Sequence, residues 1–229
     1  MDSIAIRSGG ALTAVDLKPG DVDEIYELYL SALSAVPNPA AVRTDEPSFF
    51  QEMFDVGGEI LGLRGSDERL LAYGVIRPEL ASEQDRFGLS GLVPEHAGLW
   101  VLDGSAVRPN HRQLGLQRAM IERRLLRLRS RGIGFAIAKA SPGNLPSKRN
   151  LLKRGFALVA KIKKSYGWRY VHARRTATPV VADGEGEWIA SGDLSAVDLR
   201  FGRGEAAFAC RVGGDGLPLL KFCPWSGSL

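Results

Sequence analysis

Val107-Arg-Pro-Asn-His-Arg112-Gln-Leu-Gly115-Leu-Gln117-Arg-Ala-Met120 is the stretch on which the reading of this chain turns. Leu99 to Val107 reads as a strand, and Pro109 and Asn110 interrupt it. Leu114 to Arg131 then reads as a helix, with Ile121, Leu125 and Leu128 on one side and Gly132 as its terminator. A strand that passes through a glycine turn straight into a helix presents unpaired backbone N–H groups and the positive helix end, and both suit a pyrophosphate. Glycine at 115 removes the side chain that would hold a phosphate off the backbone, although many such turns carry a glycine for conformational reasons alone.

Upstream of this stretch, the opening IAIRSGGALTAVDL has strand character up to Pro19. Asp21-Val-Asp-Glu24 then offers a capping-box start to a helix whose apolar stripe is Ile25, Leu28, Tyr29 and Ala32 and which should end near Val36, before Pro37-Asn-Pro39. A shorter helix is predicted across Ser48 to Phe54. A hairpin follows, formed by Glu59–Arg64 and Arg69–Ile76, and then a polar loop from Glu79 to Glu95. Downstream, Ile133 to Ala140 alternates large Ile133, Phe135 and Ile137 with bare Gly134, Ala136 and Ala138, a face on which a ligand or a backbone can approach closely. A helix from Leu145 to about Arg154 and strands across Phe156–Lys163 and Trp168–Arg174 complete a domain of residues 1–176. The tail, 177–229, changes texture: EWIA, AVDLRF, EAAFACRV and LPLLKF all read as short strands, an appended β element with its boundary near Thr178-Pro179.

Composition limits the classes available. With 229 residues, 45% of them hydrophobic and 24% charged, the chain can bury a substantial core and is not a disordered sequence. No apolar run approaches the roughly 20 residues that cross a bilayer, so no membrane partner is expected. Met1 to Ala11 has neither a basic leader nor an apolar run of secretory length, and a cytoplasmic location is expected. Cys210 and Cys223 lie near no CxxC and no His cluster, which argues against structural zinc and against a disulfide framework; no metal is expected.

The formal charge of +4 hides a separation along the chain. Residues 1–111 carry 8 Lys/Arg against 18 Asp/Glu, while 112–131 hold seven Arg and one Glu, and 148–175 hold ten Lys/Arg and no acid. Solvated helix faces explain most individual arginines. A concentrated basic region also suits a polyanion, either nucleic acid or a phosphorylated small molecule. Nucleic acid is disfavoured, because the basic segments show no zinc-finger spacing and no aromatic RNP-type strand and are broken by a glycine-rich loop and a proline.

Taken with its context, the 107–120 segment resembles the coenzyme A signature of the GCN5-related N-acetyltransferases (GNAT), [RQ]xxGx[GA] after a Val-x-Pro strand end. Val107, Pro109, Arg112 and Gly115 match it, and Gln117 replaces the final small residue. Asn144-Leu-Pro-Ser147 followed by Lys153-Arg-Gly155-Phe156 is similar to the family's second motif at the expected spacing. The resemblance implies an α+β (α/β) fold with a mixed, mostly antiparallel central sheet flanked by helices, a splayed parallel strand pair at 99–107 and 133–140, and the appended tail. It further implies acetyl-CoA as cosubstrate. The pantetheine arm would lie along Leu102, Ser105, Ala106 and Val107, the pyrophosphate on Arg112, Gln113, Leu114, Gly115, Leu116 and Gln117, and Asn144 and Ser147 would assist.

Acetyl transfer to an amine needs a neutral amine, a polarised thioester carbonyl and a proton source for the departing thiolate. Asp103, the ionisable residue within the 99–107 strand, is the candidate base, with Glu95 and His96 behind it. The family's usual tyrosine acid falls on Leu151, so Tyr166 and Tyr170 are the substitutes to consider. The amine acceptor is expected beside residues 26–54, and the acidic first half would favour a cationic amine. No cysteine lies in the transferase segment, which points to direct transfer in a ternary complex. A non-catalytic coenzyme-binding or protein-interaction module is the alternative, suggested by Leu151. The tail can seal the sheet edge, pair two subunits as a homodimer, or cover the acceptor site, and the sequence leaves these three open.

Overall fold

The computed structural model describes residues 3–5, 11–36, 42, 44–83, 86–95, 97–226 and 229. Among them the backbone forms eleven β-strands and five α-helices, with the strands mostly antiparallel and one pair parallel. The fold is α+β, and its element order through residue 175 follows the sequence reading apart from one added strand at the start. His96 and the Pro37-Asn-Pro39 helix stop lie outside the described residues. The backbone contacts divide into two units, residues 1–78 with 101–127 and residues 79–100 with 128–229.

In the first unit the strands lie in the order β1 (Ser3–Ala5), β2 (Ala11–Leu17), β3 (Glu59–Arg64), β4 (Leu70–Pro78) and β5 (Leu99–Val107, of which Val101–Val107 belongs here). The opening apolar segment is thus two antiparallel strands, paired Ser3 to Thr13, where the sequence suggested one. Helices α1 (Val22–Ser34) and α2 (Pro47–Asp55) pack Ile25, Leu28, Phe50 and Met53 against Leu17, Ile60 and Tyr73. Helix α3 (Leu116–Ser130) sets Leu116 and Met120 against Leu12, Leu61, Leu63 and Leu71. With apolar clusters formed by residues from both faces, β4 is buried from Leu70 to Arg77 and reads as a nearly continuous apolar run.

The expected capping box at the start of α1 does not form. Glu24 instead accepts two bonds from Arg64, at 2.9 and 2.6 Å, and one from Leu70 N–H at 3.0 Å, while Asp21 accepts from Lys18 N–H at 2.7 Å. A bidentate, charge-assisted pair with guanidinium is stronger than a neutral cap bond, so the carboxylate goes to the arginine.

In the second unit the order is β6 (Phe135–Ala140), β8 (Gly167–Arg175), β7 (Ala157–Lys164), β10 (Glu205–Val212), β11 (Pro218–Pro224) and β9 (Glu187–Ala190), every neighbouring pair antiparallel. The tail joins the sheet where Ala207 of β10 pairs with Leu158 of β7, which covers an edge that β7 would otherwise leave open. Helix α4 (Leu145–Leu152) and helix α5 (Leu194–Gly202) place Leu152 and Val197 in one core with Leu158, Tyr170 and Phe222. One reading is corrected here. AVDLRF is the helix α5: Asp193 accepts from Ala196 N–H at 2.9 Å and caps it, and Leu194, Val197 and Phe201 face the core at helical spacing. On the bare face of β6, Ala136 and Ala138 are buried, as close approach of other groups requires, while Gly134 just before the strand is exposed. Among the described residues no helix is long and apolar enough to cross a membrane, and Cys210 and Cys223 are free thiols.

Candidate functional site

Residues 107–120 lie in the first unit, and the turn within them is held from behind. Arg108, 4% exposed, donates its backbone N–H to Leu71 O at 2.9 Å and its Nε to Leu70 O at 2.8 Å, and its Nη1 reaches Glu27 at 3.2 Å. The residue before Pro109 is thereby fixed to β4 and α1, and the chain turns over Pro109–His111 with His111 N–H on Arg108 O and Arg112 N–H on Pro109 O. Gln113 and Gly115 then adopt φ of 66° and 87°. For a glycine this costs little, whereas a non-glycine residue in the left-handed region carries about 1–2 kcal/mol of strain. Backbone with such reversals gathers successive N–H groups into an anion-binding concavity.

Gly115 O accepts from Ala119 N–H at 3.0 Å, so helix α3 starts directly beyond the glycine, and the amides of its first turn have no acceptor within the helix. Leu116 and Met120 anchor the inner side of that turn, while Arg112 and Gln113 are exposed and Leu114 and Gln117 half-buried. Two arginines flank the turn differently. Arg112 reaches away, donating to Ala32 O at 2.9 Å and Ala35 O at 3.1 Å, and so satisfies carbonyls at the end of α1. Arg118 leans over the turn: its Nη2 lies 3.4 Å from where a Cβ on Gly115 would stand. Sequence reasoning did not single out Arg118; its position one helical turn beyond the glycine was the available signal.

Much of the basic charge near α3 is taken up inside the unit. Arg123 and Arg127 bind Asp16 at 2.7 and 2.5 Å, and Arg127 also bonds Glu59. Burial pushes the Asp16 carboxyl up, but the hydrogen bonds and charges of Arg127 and Arg123 outweigh it and hold the group below its ordinary value. The Arg64–Glu24, Arg69–Glu27 and Arg108–Glu27 pairs lie within residues 1–111, so of the acidic surplus read there only the share met by Arg123 and Arg127 is neutralised from outside, and most of it stays.

Along β5, Leu102 and Ala106 are buried, Ser105 is exposed and Val107 is half-buried. Asp103 accepts from the buried Arg77 Nε at 2.7 Å. A carboxylate stabilised by a guanidinium in this way is a weak base. Phe49 of α2 stands beside this strand, its Cε1 3.6 Å from the Cβ position of Gly104, and it meets Phe50 edge to face with centroids 5.2 Å apart.

The remaining sequence candidates belong to the second unit. Tyr170 is fully buried and donates to Ser191 O at 2.5 Å; burial pushes its phenol up to about 12, with the bond to Ser191 opposing. Tyr166 is half-buried beneath the Arg169 guanidinium, 4.3 Å from its ring centroid. Asn144 caps α4, its Oδ1 accepting from Ser147 N–H at 3.1 Å. Leu151 is a core residue of α4.

The fold is that of the GCN5-related N-acetyltransferases. The chain is similar to Arabidopsis thaliana NAA60, solved in complex with acetyl-CoA, with a TM-score of 0.60 and 16% identity over 73% of this chain and 99% of that one. It is likewise similar to an acetyltransferase of the GNAT family from Listeria monocytogenes (TM-score 0.58, 13% identity, 76% of this chain and 99% of the other). A third likeness is to the ribosomal-protein-S18-alanine N-acetyltransferase from Escherichia coli (TM-score 0.55, 15% identity, 76% and 97%). No protein-family model matches the chain, and no curated protein does.

Proposed function

We propose that the chain is an acetyl-CoA-dependent N-acetyltransferase that moves an acetyl group to an amine by direct transfer in a ternary complex. The observation that carries this reading is the turn at 112–117, where Gln113 and Gly115 take positive φ and open directly onto the first turn of α3. Main-chain amides from Gln113 to Gln117 would receive the coenzyme's pyrophosphate, the Arg112 N–H being held by Pro109 O; Arg118 would add charge beside it, and the backbone of Leu102, Ser105, Ala106 and Val107 would pair with the pantetheine arm. When bound, the coenzyme supplies the activated thioester. The amine nitrogen forms a bond to the carbonyl carbon, the carbon–sulfur bond breaks, and the products are an N-acetylated amine and the free thiol.

Asp103 is a poor fit to the base in this scheme because of its ion pair, and Tyr170 is a poor fit to the acid because its proton is buried and tightly held. The acceptor would meet Phe49 and its aromatic neighbours beside Gly104. Apolar and aromatic contact there would add to the long-range pull of the acidic first half on a cationic amine. A non-catalytic coenzyme-binding module is the second reading, favoured by the buried Leu151 and the paired Asp103. Release of free thiol from acetyl-CoA across a panel of amines tests the pair: turnover with any of them supports the enzyme, and tight coenzyme binding with no turnover supports the module.

A further inference from the structure

Arg124 is the one buried cation of α3 on the stripe that should be apolar. It falls three residues after Ile121 and four before Leu128, and it is 2% exposed. Its guanidinium makes three bonds to backbone carbonyls on three elements. Nε donates to Met120 O on α3 at 3.2 Å, and Nη1 donates to Val75 O on β4 and to Asp103 O on β5, both at 3.3 Å. The Asp103 carboxylate, which could neutralise it, is bonded by Arg77. Burial pushes its pKa down to about 10, and the Asp103 charge only partly offsets this.

A buried guanidinium is costly, and neighbouring strands hold together without one. The room for it has been made specifically. Position 74 in the middle of β4 is glycine, and a Cβ there would lie 2.8 Å from Arg124 Nε and 3.0 Å from its Cζ. The two elements that the guanidinium brackets are those that the proposed function assigns to the two halves of the coenzyme: α3, whose start faces the pyrophosphate, and β5, whose backbone faces the pantetheine arm.

We propose that Arg124 is a positioning residue that sets strand β5 against the start of α3, so that nucleotide and pantetheine halves of one ligand are engaged together. The inference rests on the acetyl-CoA reading. When two subsites hold one ligand, the second contact is intramolecular, and its gain depends on the separation between subsites. A shift of about 1 Å leaves each subsite intact and removes much of that gain.

Calorimetry with coenzyme A and with its nucleotide half, adenosine 3′-phosphate 5′-diphosphate, tests this on the wild type, on Arg124→Met and on Gly74→Ala. Gly74→Ala keeps the guanidinium in the chain but puts a methyl group in its place, and it carries the test alone if Arg124→Met does not fold. The expected result is that the nucleotide half binds all folded variants within about 3-fold of wild type, while coenzyme A loses about 10-fold or more. A merely structural arginine would lower the unfolding temperature without that selective loss. Equal weakening of both ligands, or no change of either in the folded variants, overturns the proposal. Wild type that binds neither ligand overturns it through the acetyl-CoA reading, an outcome distinct from the other two.

Discussion

Arg77 Nε stands 2.7 Å from Asp103 Oδ2, joining β4 to β5 through a pair in which the arginine is 3% and the aspartate 13% exposed. Removing one partner of a buried pair strands the other. Asp103→Asn is expected to lower stability by about 3 kcal/mol, read by denaturant unfolding. The acidic limb of the kcat/KM pH profile is expected to stay where it is. A limb that disappears in the variant would return Asp103 to the role of base.

Tyr170 provides a complementary test of the acid. Its hydroxyl is bonded to Ser191 O at 2.5 Å and titrates near 12, so Tyr170→Phe should leave kcat unchanged and cost about 1 kcal/mol in stability. Turnover slowed by about 100-fold or more would show instead that the phenol protonates the leaving thiolate.

Phe49, beside Gly104, is expected to contact the acceptor and not the coenzyme. In steady-state kinetics and calorimetry, Phe49→Ala should raise the acceptor KM several-fold and leave acetyl-CoA affinity within about 2-fold, as loss of an aromatic contact worth about 1 kcal/mol requires. Weakened acetyl-CoA binding with an unchanged acceptor KM would place the acceptor elsewhere.

His172 is fully buried in the second unit, with the backbone of Tyr170 and Ala138 beside its ring. Burial above all, and then the charge of Lys148, push its pKa down to about 3, with the backbone at Tyr170 and Ala138 opposing. The unfolded chain takes up this proton near pH 6.5 and the folded chain does not until about 3. Stability contributed by the neutral ring is therefore complete above about pH 6.5 and falls as pH drops through that window, by an amount on the order of 5 kcal/mol. Urea unfolding from about pH 7 to about pH 4 should show this slope in the wild type and a shallower one in His172→Leu; parallel slopes would acquit the histidine.

What the sequence made legible was whatever repeats at short range. The stripe Ile25, Leu28, Tyr29 announced α1, and the glycine turn at 115 announced the start of α3 within a few residues. AVDLRF misled because six residues satisfy either period, and the deciding capping bond comes from Asp193, outside the run. The chemistry of the candidate site was less visible. Asp103 looks like a free carboxylate until Arg77, 26 residues away, is brought to it, and Tyr170 looks available until Ser191 of the tail covers its hydroxyl. Arg124 was the one such feature with a local signal, a charge within an otherwise apolar stripe, which counting net charge concealed.

The most direct measurement is calorimetric titration of acetyl-CoA into the wild type and into Gly115→Glu, with unfolding temperature recorded for both. A glutamate at φ 87° puts a strained, negatively charged side chain where the pyrophosphate is proposed to sit. Micromolar binding in the wild type, lost by about 100-fold or more in a variant that remains folded, is the predicted result. Equal affinity for acetyl-CoA in the two proteins, or none in the wild type, would contradict the assignment of this turn to the coenzyme.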